Sequence, residues 1–269
     1  LREFTQAELQ IFFDEDEMDK LNPEKWKVIE NSKLIIKLAD EKAAKEISCR
    51  ELHEKFQKFY LYNAAKIQKF YLEILRVPKE KFRFRELGKD ERAFYNRLHL
   101  DIELDLETLG GFKEVAGLHY RTNHDLKGHE KISGKNLEIF YNNKKLIPHV
   151  LELSFGVDRN IFAFLDIFYR KEKLEKEERA IFAFPAKMAP FEAAVFPLVS
   201  KDGLDREAEK IYDMLKEDKI QVFYDDSGSI GRRYRRQDEI GTKFCITVDY
   251  DTLKDRTATI RDRDSMKQE

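Results

Sequence analysis

The sequence predicts an α+β chain of two domains: an antiparallel sheet domain followed by a smaller α/β domain. Three observations carry that prediction. Segments of period two dominate the first part, most clearly Leu100 to Leu106, where Leu and Ile alternate with Asp101, Glu103 and Asp105. After about residue 187 the rhythm becomes strand–helix–strand, the pattern of mostly parallel pairing. Between the two lies a charged run, Tyr169 to Arg179, that reads as a surface linker. The boundaries that follow are 1–180 and 187–269.

The elements are justified in order. Residues 4–13, rich in aromatic and β-branched side chains, suit a half-buried strand. Residues 14–33 are acidic and then interrupted by Pro23, so they read as loop with a short strand near Trp26. From Glu41 to Leu75 apolar residues recur at helical spacing (Leu52, Phe56, Phe59, Tyr60, Ala64, Ile67, Phe70, Tyr71), and Val77-Pro78 stops that helix. Strands follow at Phe82–Glu86, Leu100–Leu106 and, after the Gly110-Gly111 turn, Phe112–Leu118. A polar loop leads to a hairpin over 137–146 that turns at Asn142-Asn143, then to a strand over 150–155 and an apolar helix over 161–168. In the second domain, strands at 191–198, 220–224, 243–248 and 257–260 enclose helices at 205–217 and from about Ile230.

Composition narrows the function classes. The 50 Lys+Arg against 52 Asp+Glu leave a net charge of -2, so any nucleic acid must be met by a local patch. With 21 Phe and 11 Tyr the chain can fill cores, which excludes intrinsic disorder. No apolar run approaches the roughly 18–20 residues of a membrane span, and nothing at the start resembles a signal peptide. Cys49 and Cys245 are far apart and fit free thiols in a reduced cytosolic setting. The six histidines lack metal-ligand spacing. The chain opens without Met inside a strand pattern and closes without a cap, so both ends read as cut.

Four stretches can carry chemistry. In the first, Arg2 to Glu8, a strand puts Phe4, Gln6 and Glu8 on one face, where a ring and a carboxylate can stack a base and hold an ammonium; the alternative is a solvated edge strand. In the second, Pro148 to Arg159, Glu152 and Ser154 share a strand face, and Arg159 at a helix start can meet phosphate or pair with Asp158. The third, Gly111 to Gly117, offers Glu114 as a Mg²⁺ ligand or as an ordinary solvated strand residue. The fourth, Asp225 to Gly241, sets Arg232, Arg233, Arg235 and Arg236 around Tyr234, suited to RNA or to a salt-bridged helix with Asp238 and Glu239.

Read together, these stretches resemble class II glycyl-tRNA synthetases of the archaeal and eukaryotic type. The match runs through the end of motif 2 (Leu1 to Glu8), Arg83-Phe84-Arg85-Glu86 with Glu91 and Tyr95, and Gly111 to Gly117. It continues through Arg121-Thr122, Asp125-Leu126 and His129, motif 3 (Pro148 to Arg159), and the long run from Tyr224 to Gln268. The resemblance implies a partial class II catalytic domain followed by an α/β anticodon-binding domain. The activity implied is ATP-dependent activation of glycine to glycyl-adenylate and its transfer to the 3′ end of glycine tRNA. It carries ATP binding onto Leu1, Arg2, Glu3, Phe4, Glu114, Val115, Gly156, Val157, Asp158 and Arg159, with Mg²⁺ on Glu114. Glycine binding falls on Gln6, Glu8, Glu152, Leu153 and Ser154. Transfer RNA binding is expected on the stretch Arg232, Arg233, Tyr234, Arg235 and Arg236, of whose four arginines a helix can turn only one or two to RNA.

The resemblance also implies a cytoplasmic homodimer built through an N-terminal motif 1 region that the sequence does not include. That region is expected either in the same polypeptide or as a separate N-terminal half chain. Two departures stand out: Leu153 replaces a proline of motif 3, and His119-Tyr120 replaces a small-acidic pair before Arg121. The alternative reading is a non-catalytic paralogue such as the accessory subunit of mitochondrial DNA polymerase. Retention of Glu8, Glu114, Glu152, Ser154 and Arg159 favours the enzyme.

Overall fold

A computed structural model describes residues 5–174 and 178–269. The chain divides into two units, Leu1–Ile167 and Phe168–Glu269.

The first unit is built on a seven-stranded sheet. In chain order its elements are β1 (Gln6–Phe13), α1 (Pro23–Ile29), β2 (Lys33–Lys37), β3 (Lys45–Ser48), α2 (Cys49–Leu52), α3 (Lys58–Lys69), β4 (Phe82–Glu86), β5 (Leu98–Leu106), β6 (Gly111–Thr122), α4 (His124–Ser133), β7 (Ile139–Tyr141), β8 (Lys144–Leu146), β9 (His149–Gly156) and α5 (Val157–Phe168). The order across the sheet is β1-β9-β6-β5-β4-β2-β3, antiparallel except where β2 meets β4. Because side chains alternate across a strand, the sheet has one apolar and one polar face. Tyr60, Leu61 and Ala64 of α3 are fully buried, as are Leu100, Ile102 and Phe84 of the sheet. The Tyr60 hydroxyl donates to the Leu118 carbonyl at 2.8 Å, so this phenol is satisfied inside the core.

Several sequence expectations change here. The segment near Trp26 is helix, not strand: Pro23 occupies its first turn, and the Asn22 side chain accepts from the Glu24 amide. The long helix over 41–75 is broken. Residues 45–48 pair with β2 instead, Ser48 caps the short α2, and the helix proper begins at Lys58, passing into a π turn over Phe70–Ile74. The polar stretch after β6 holds α4, closed by Gly134 at φ 67. The hairpin at Asn142-Asn143 forms as expected, with both residues at positive φ.

The second unit begins with a hairpin of β10 (Tyr169–Lys173) and β11 (Glu178–Phe182), where the sequence suggested a linker. Beyond it come β12 (Ala193–Pro197), α6 (Leu204–Glu217), β13 (Val222–Tyr224), α7 (Ile230–Ile240), β14 (Phe244–Val248), α8 (Thr252–Asp255) and β15 (Thr259–Asp262). The sheet order is β13-β12-β14-β15; β12 runs parallel to both β13 and β14, and β15 returns antiparallel. Val195, Leu204, Ala208 and Val248 form its core with no exposure.

What makes the hairpin part of this unit is Arg179. It is 2% exposed and donates to Asp238 Oδ2 at 3.1 Å and to the Arg263 carbonyl at 2.9 Å. Arg261 makes a two-pronged pair with the same carboxylate, at 2.8 and 3.0 Å. Two guanidinium groups thus converge on a side chain with no solvent exposure. Gly241 ends α7 at φ +88, and a Cβ there would lie 2.8 Å from the Phe182 carbonyl oxygen. Only glycine lets α7 pass β11 this closely.

Candidate active site

Strand register builds the site. Residues opposite one another share a face. One polar row crosses the sheet as His99, His119, Glu152 and Gln10, and the next as Asp101, Gly117, Ser154 and Glu8. Gln6 lies opposite Gly156 at the end of β1. The structure therefore brings Gln6, Glu8, Glu152 and Ser154 onto one face, as the period-two reading of Gln6 and Glu8 requires. The Gln6 amide donates to the Ser154 hydroxyl, and Gln10 Nε2 reaches Glu152 Oε2 at 3.0 Å and Glu8 Oε2 at 3.4 Å.

Leu153 does not belong with them. It lies between Leu9 and Leu118 on the opposite face, where it lines an apolar groove of about 440 Å³ with Ala7, Ile67 and Phe70. A single step along a strand reverses the face, so a run of three consecutive residues cannot point into one site.

Arg121 is the organiser that sequence reasoning left without a role. Its Nη1 contacts both oxygens of Glu152, at 2.9 and 3.0 Å, and its Nε donates to Asp125 Oδ2 at 2.8 Å. The guanidinium lies over the Tyr95 ring, 4.8 Å from its centroid. Burial opposes its charge, but the bonds to Asp125 and Glu152 outweigh burial and hold its pKa above the ordinary value. Glu152 is thus nearly buried and compensated, whereas the exposed Glu8 keeps a carboxylate open to a cation. The signal for Arg121 was its place in the matched Arg121-Thr122 segment; the signal for Gln10 was the period-two series Gln6, Glu8, Gln10.

The second cluster forms where β6 bulges against β5. The register shift after Ile102 puts Glu114 opposite Glu103. Arg83 Nε takes Glu103 at 2.6 Å, and Arg159 Nη1 lies 3.4 Å from Glu114 Oε1. Partial burial, followed by the charge of Asp101, pushes the Glu114 carboxyl above its usual range. Asn160 fixes the geometry: its Nδ2 donates to the carbonyls of Val115 (3.0 Å) and Gly156 (2.8 Å), and its Oδ1 accepts from the Tyr71 hydroxyl (2.8 Å). Val157 donates to the Thr5 carbonyl at 2.9 Å, and Asp158 accepts from the Thr5 amide. Glu114, Val115, Asp158 and Arg159 surround a pocket of about 460 Å³ that Leu109 and Phe162 also line. Leu1, Arg2, Glu3 and Phe4 lie outside the described residues. Among the described residues no group of three or more His, Cys, Asp or Glu side chains could hold a metal ion. Glu114 can still serve a cation that brings its own phosphate and water ligands.

The arginine helix α7 is mostly committed to the fold. Arg233 is 3% exposed and donates to the carbonyls of Pro197, Asp226 (2.6 Å), Gly228 (2.8 Å) and Ser227 (3.4 Å). Tyr234 bonds Thr247 Oγ1 at 2.6 Å and meets Phe196 edge-on, with Arg261 over its ring. Arg236 pairs with Asp225 at 2.6 Å, and Arg235 lies 3.8 Å from Asp238. Of the five residues named for RNA, Arg233 and Tyr234 are corrected, because a helix packed on a sheet must turn part of its circumference inward. Arg232 and Arg236 are the exposed ones, Arg236 with Asp225 as its partner. Cys49 and Cys245 are buried free thiols, each pushed up to about 12 by burial and therefore unreactive. No helix among the described residues is long and apolar enough to cross a membrane.

Comparison with known proteins fits this geometry. A solved prolyl-tRNA synthetase from Cryptosporidium parvum, complexed with L-proline and AMP, superposes with a TM-score of 0.57 at 15% identity, covering 79% of this chain and 43% of that one. The fold is that of a class II synthetase. Within it, residues 192–269 match the anticodon binding domain family. Over most of its length this chain is similar to bacterial glycine–tRNA ligases. It is 41% identical to that of Borrelia hermsii over 215 residues (78% of this chain, 48% of that protein) and 44% identical to that of Treponema denticola over 200 (71% and 44%). The Clostridium tetani ligase is 44% identical over 201 residues (74% and 42%). The chain spans about half the length of the curated relatives it matches.

Proposed function

We propose that the first unit carries the glycine- and ATP-binding sheet of a glycine–tRNA ligase and that residues 187–269 carry its anticodon-binding domain. The observation that supports this most directly is the polar face on which Glu8, Ser154 and Glu152 stand in register across β1 and β9. Glu8 takes the substrate ammonium, while Glu152, locked by Arg121 and Gln10, orients the amide and hydroxyl around it. Glycine offers no side chain to grip, so selection rests on the ammonium and on filled space.

ATP is assigned to Leu1 through Phe4, Glu114, Val115 and Gly156 through Arg159. Residues 1–4 are assigned on the motif alone. Arg159 supplies a planar cation for phosphate or adenine. Mg²⁺, held by Glu114, supplies neutralisation of phosphate charge when bound. Catalysis here is orientation and charge stabilisation, with no protein nucleophile. The tRNA contact is assigned to the face of α7 that carries Arg232. A cytoplasmic homodimer, completed by an N-terminal motif 1 region in the same polypeptide or a separate chain, is part of the proposal. The archaeal and eukaryotic subtype is its narrowest part and rests on the motif text, since the relatives compared are bacterial.

The test is glycine-dependent pyrophosphate exchange, run on the chain alone and with an N-terminal half supplied in trans. Glu8→Gln is expected to raise the glycine KM, because the substrate ammonium loses its charged partner. An unchanged KM would remove Glu8 from the glycine site. Loss of all exchange in the wild type would favour the non-catalytic paralogue.

A further inference from the structure

The structure gives His119 a definite position. Its Cα stands opposite Glu152 on one side and His99 on the other. The imidazole leans along β6 over Gly117, so that a Cβ built on Gly117 would lie 2.8 Å from His119 Cε1. Gly117 itself sits between Asp101 and Ser154. The ring therefore covers the ground beside Ser154 and Glu152, and the absence of a side chain at 117 lets it lie flat. It is held there from behind: Asn96 Nδ2 lies 3.3 Å from His119 Nδ1 and 3.5 Å from His99 Nδ1, and the two imidazole centroids are 4.1 Å apart. His99 is backed in turn by Asp101 at 2.9 Å. Nδ1 being engaged, Nε2 is the atom turned over Gly117.

We propose that His119 is a specificity-determining residue, whose imidazole, laid over Gly117 and held by Asn96 and His99, fills the space that an amino-acid side chain would need beside Glu152 and Ser154. This inference rests on the glycine-site reading above and adds to it the wall that excludes larger amino acids. A neutral ring also suits the place, because a cation there would repel an ammonium. Burial first, and then the charges of His99 and Arg121, push the His119 pKa down to about 4, leaving it uncharged at neutral pH. Filled space is an effective filter: one methylene in a tight pocket is worth about 10–200-fold in discrimination.

The experiment compares kcat/KM for glycine, alanine and serine in pyrophosphate exchange, using the preparation in which the wild type activates glycine. In His119→Ala the alanine-to-glycine ratio of kcat/KM is expected to rise by about tenfold or more, the scale of one methylene in a pocket. His119→Gln, which keeps the bulk, is expected to keep the wild-type ratio. His119→Ser repeats the loss of bulk with a polar side chain, so the comparison survives if the alanine variant fails to fold. An unchanged ratio in folded His119→Ala or His119→Ser, with a normal wild-type glycine response, would overturn the inference and leave the glycine reading standing. A wild type that prefers alanine, or that responds to no amino acid, would overturn both.

Discussion

Asp238 offers a quantitative test of what holds the second unit together. Its carboxylate has no solvent exposure and receives three charged hydrogen bonds: two from Arg261 at 2.8 and 3.0 Å and one from Arg179 at 3.1 Å. Asp238→Asn keeps the shape and removes the charge. Arg179 then retains Glu172 at 2.6 Å and the Arg263 carbonyl, so its loss is partial. Arg261 has no other carboxylate partner among the described residues and is left against the Tyr234 ring. Breaking a buried pair by removing one partner costs about 3–5 kcal/mol, and the stranded Arg261 places this variant within that range. At about 4–8 °C per kcal/mol for a unit of this size, the second thermal transition should fall by more than about 12 °C. The assay is calorimetry with urea unfolding as a second measure. Adding Arg261→Met to Asp238→Asn should recover part of the loss, since two removed charges are cheaper than one stranded. A change below about 1 kcal/mol in Asp238→Asn, the typical worth of an exposed pair, would refute the view that this cluster is dry and strongly coupled.

Other outcomes follow from single sites. Gly241→Ala should destabilise the second unit by more than about 1 kcal/mol, because φ +88 and the nearby Phe182 carbonyl both oppose a Cβ; calorimetry checks it. His119 binds a proton more weakly folded (about 4) than unfolded (6.5), so its contribution is complete above pH 6.5 and is lost as pH falls from there towards 4. Melting temperature against pH should show that slope, and His119→Gln should flatten it. Arg233→Gln should lower the melting temperature, each stranded buried carbonyl costing about 1–3 kcal/mol. Arg232→Gln should leave melting alone and reduce the salt slope of tRNA affinity by about 0.7–0.9 log units per log salt if it meets one phosphate.

Much of this fold was legible because its strands announce themselves. Leu100 to Leu106 alternates strictly and forms β5, and Asn142-Asn143 turns the hairpin it signals. What failed was local. Leu52 and Phe56 stand at helical spacing with α3, yet they bury themselves through separate turns, and β3 pairs with β2 where a helix was expected. Nothing in His124 to Ser133 marks an apolar stripe, so α4 was invisible to periodicity. For the site, alternation placed Gln6 with Glu8 and Glu152 with Ser154, the resemblance joined the two pairs, and alternation applied residue by residue excludes Leu153. The roles of Arg121 and His119 depend on cross-strand register, which a single sequence does not encode locally. For the arginines of α7, helix geometry limits exposure to one or two of the four, but composition does not say which side of the helix faces the sheet.

The Arg179 anchor changes what can be cut from this molecule. Family matching begins at residue 192, which invites expression of 192–269 as a free-standing piece. Such a piece would lose β10 and β11, expose Gly241 where Phe182 and Phe184 now cover it, and leave Asp238 without Arg179. The excisable part therefore starts at Phe168. A library of start points between 168 and 192 should show soluble yield collapsing once the cut passes Arg179, well before it reaches the first strand of the parallel sheet.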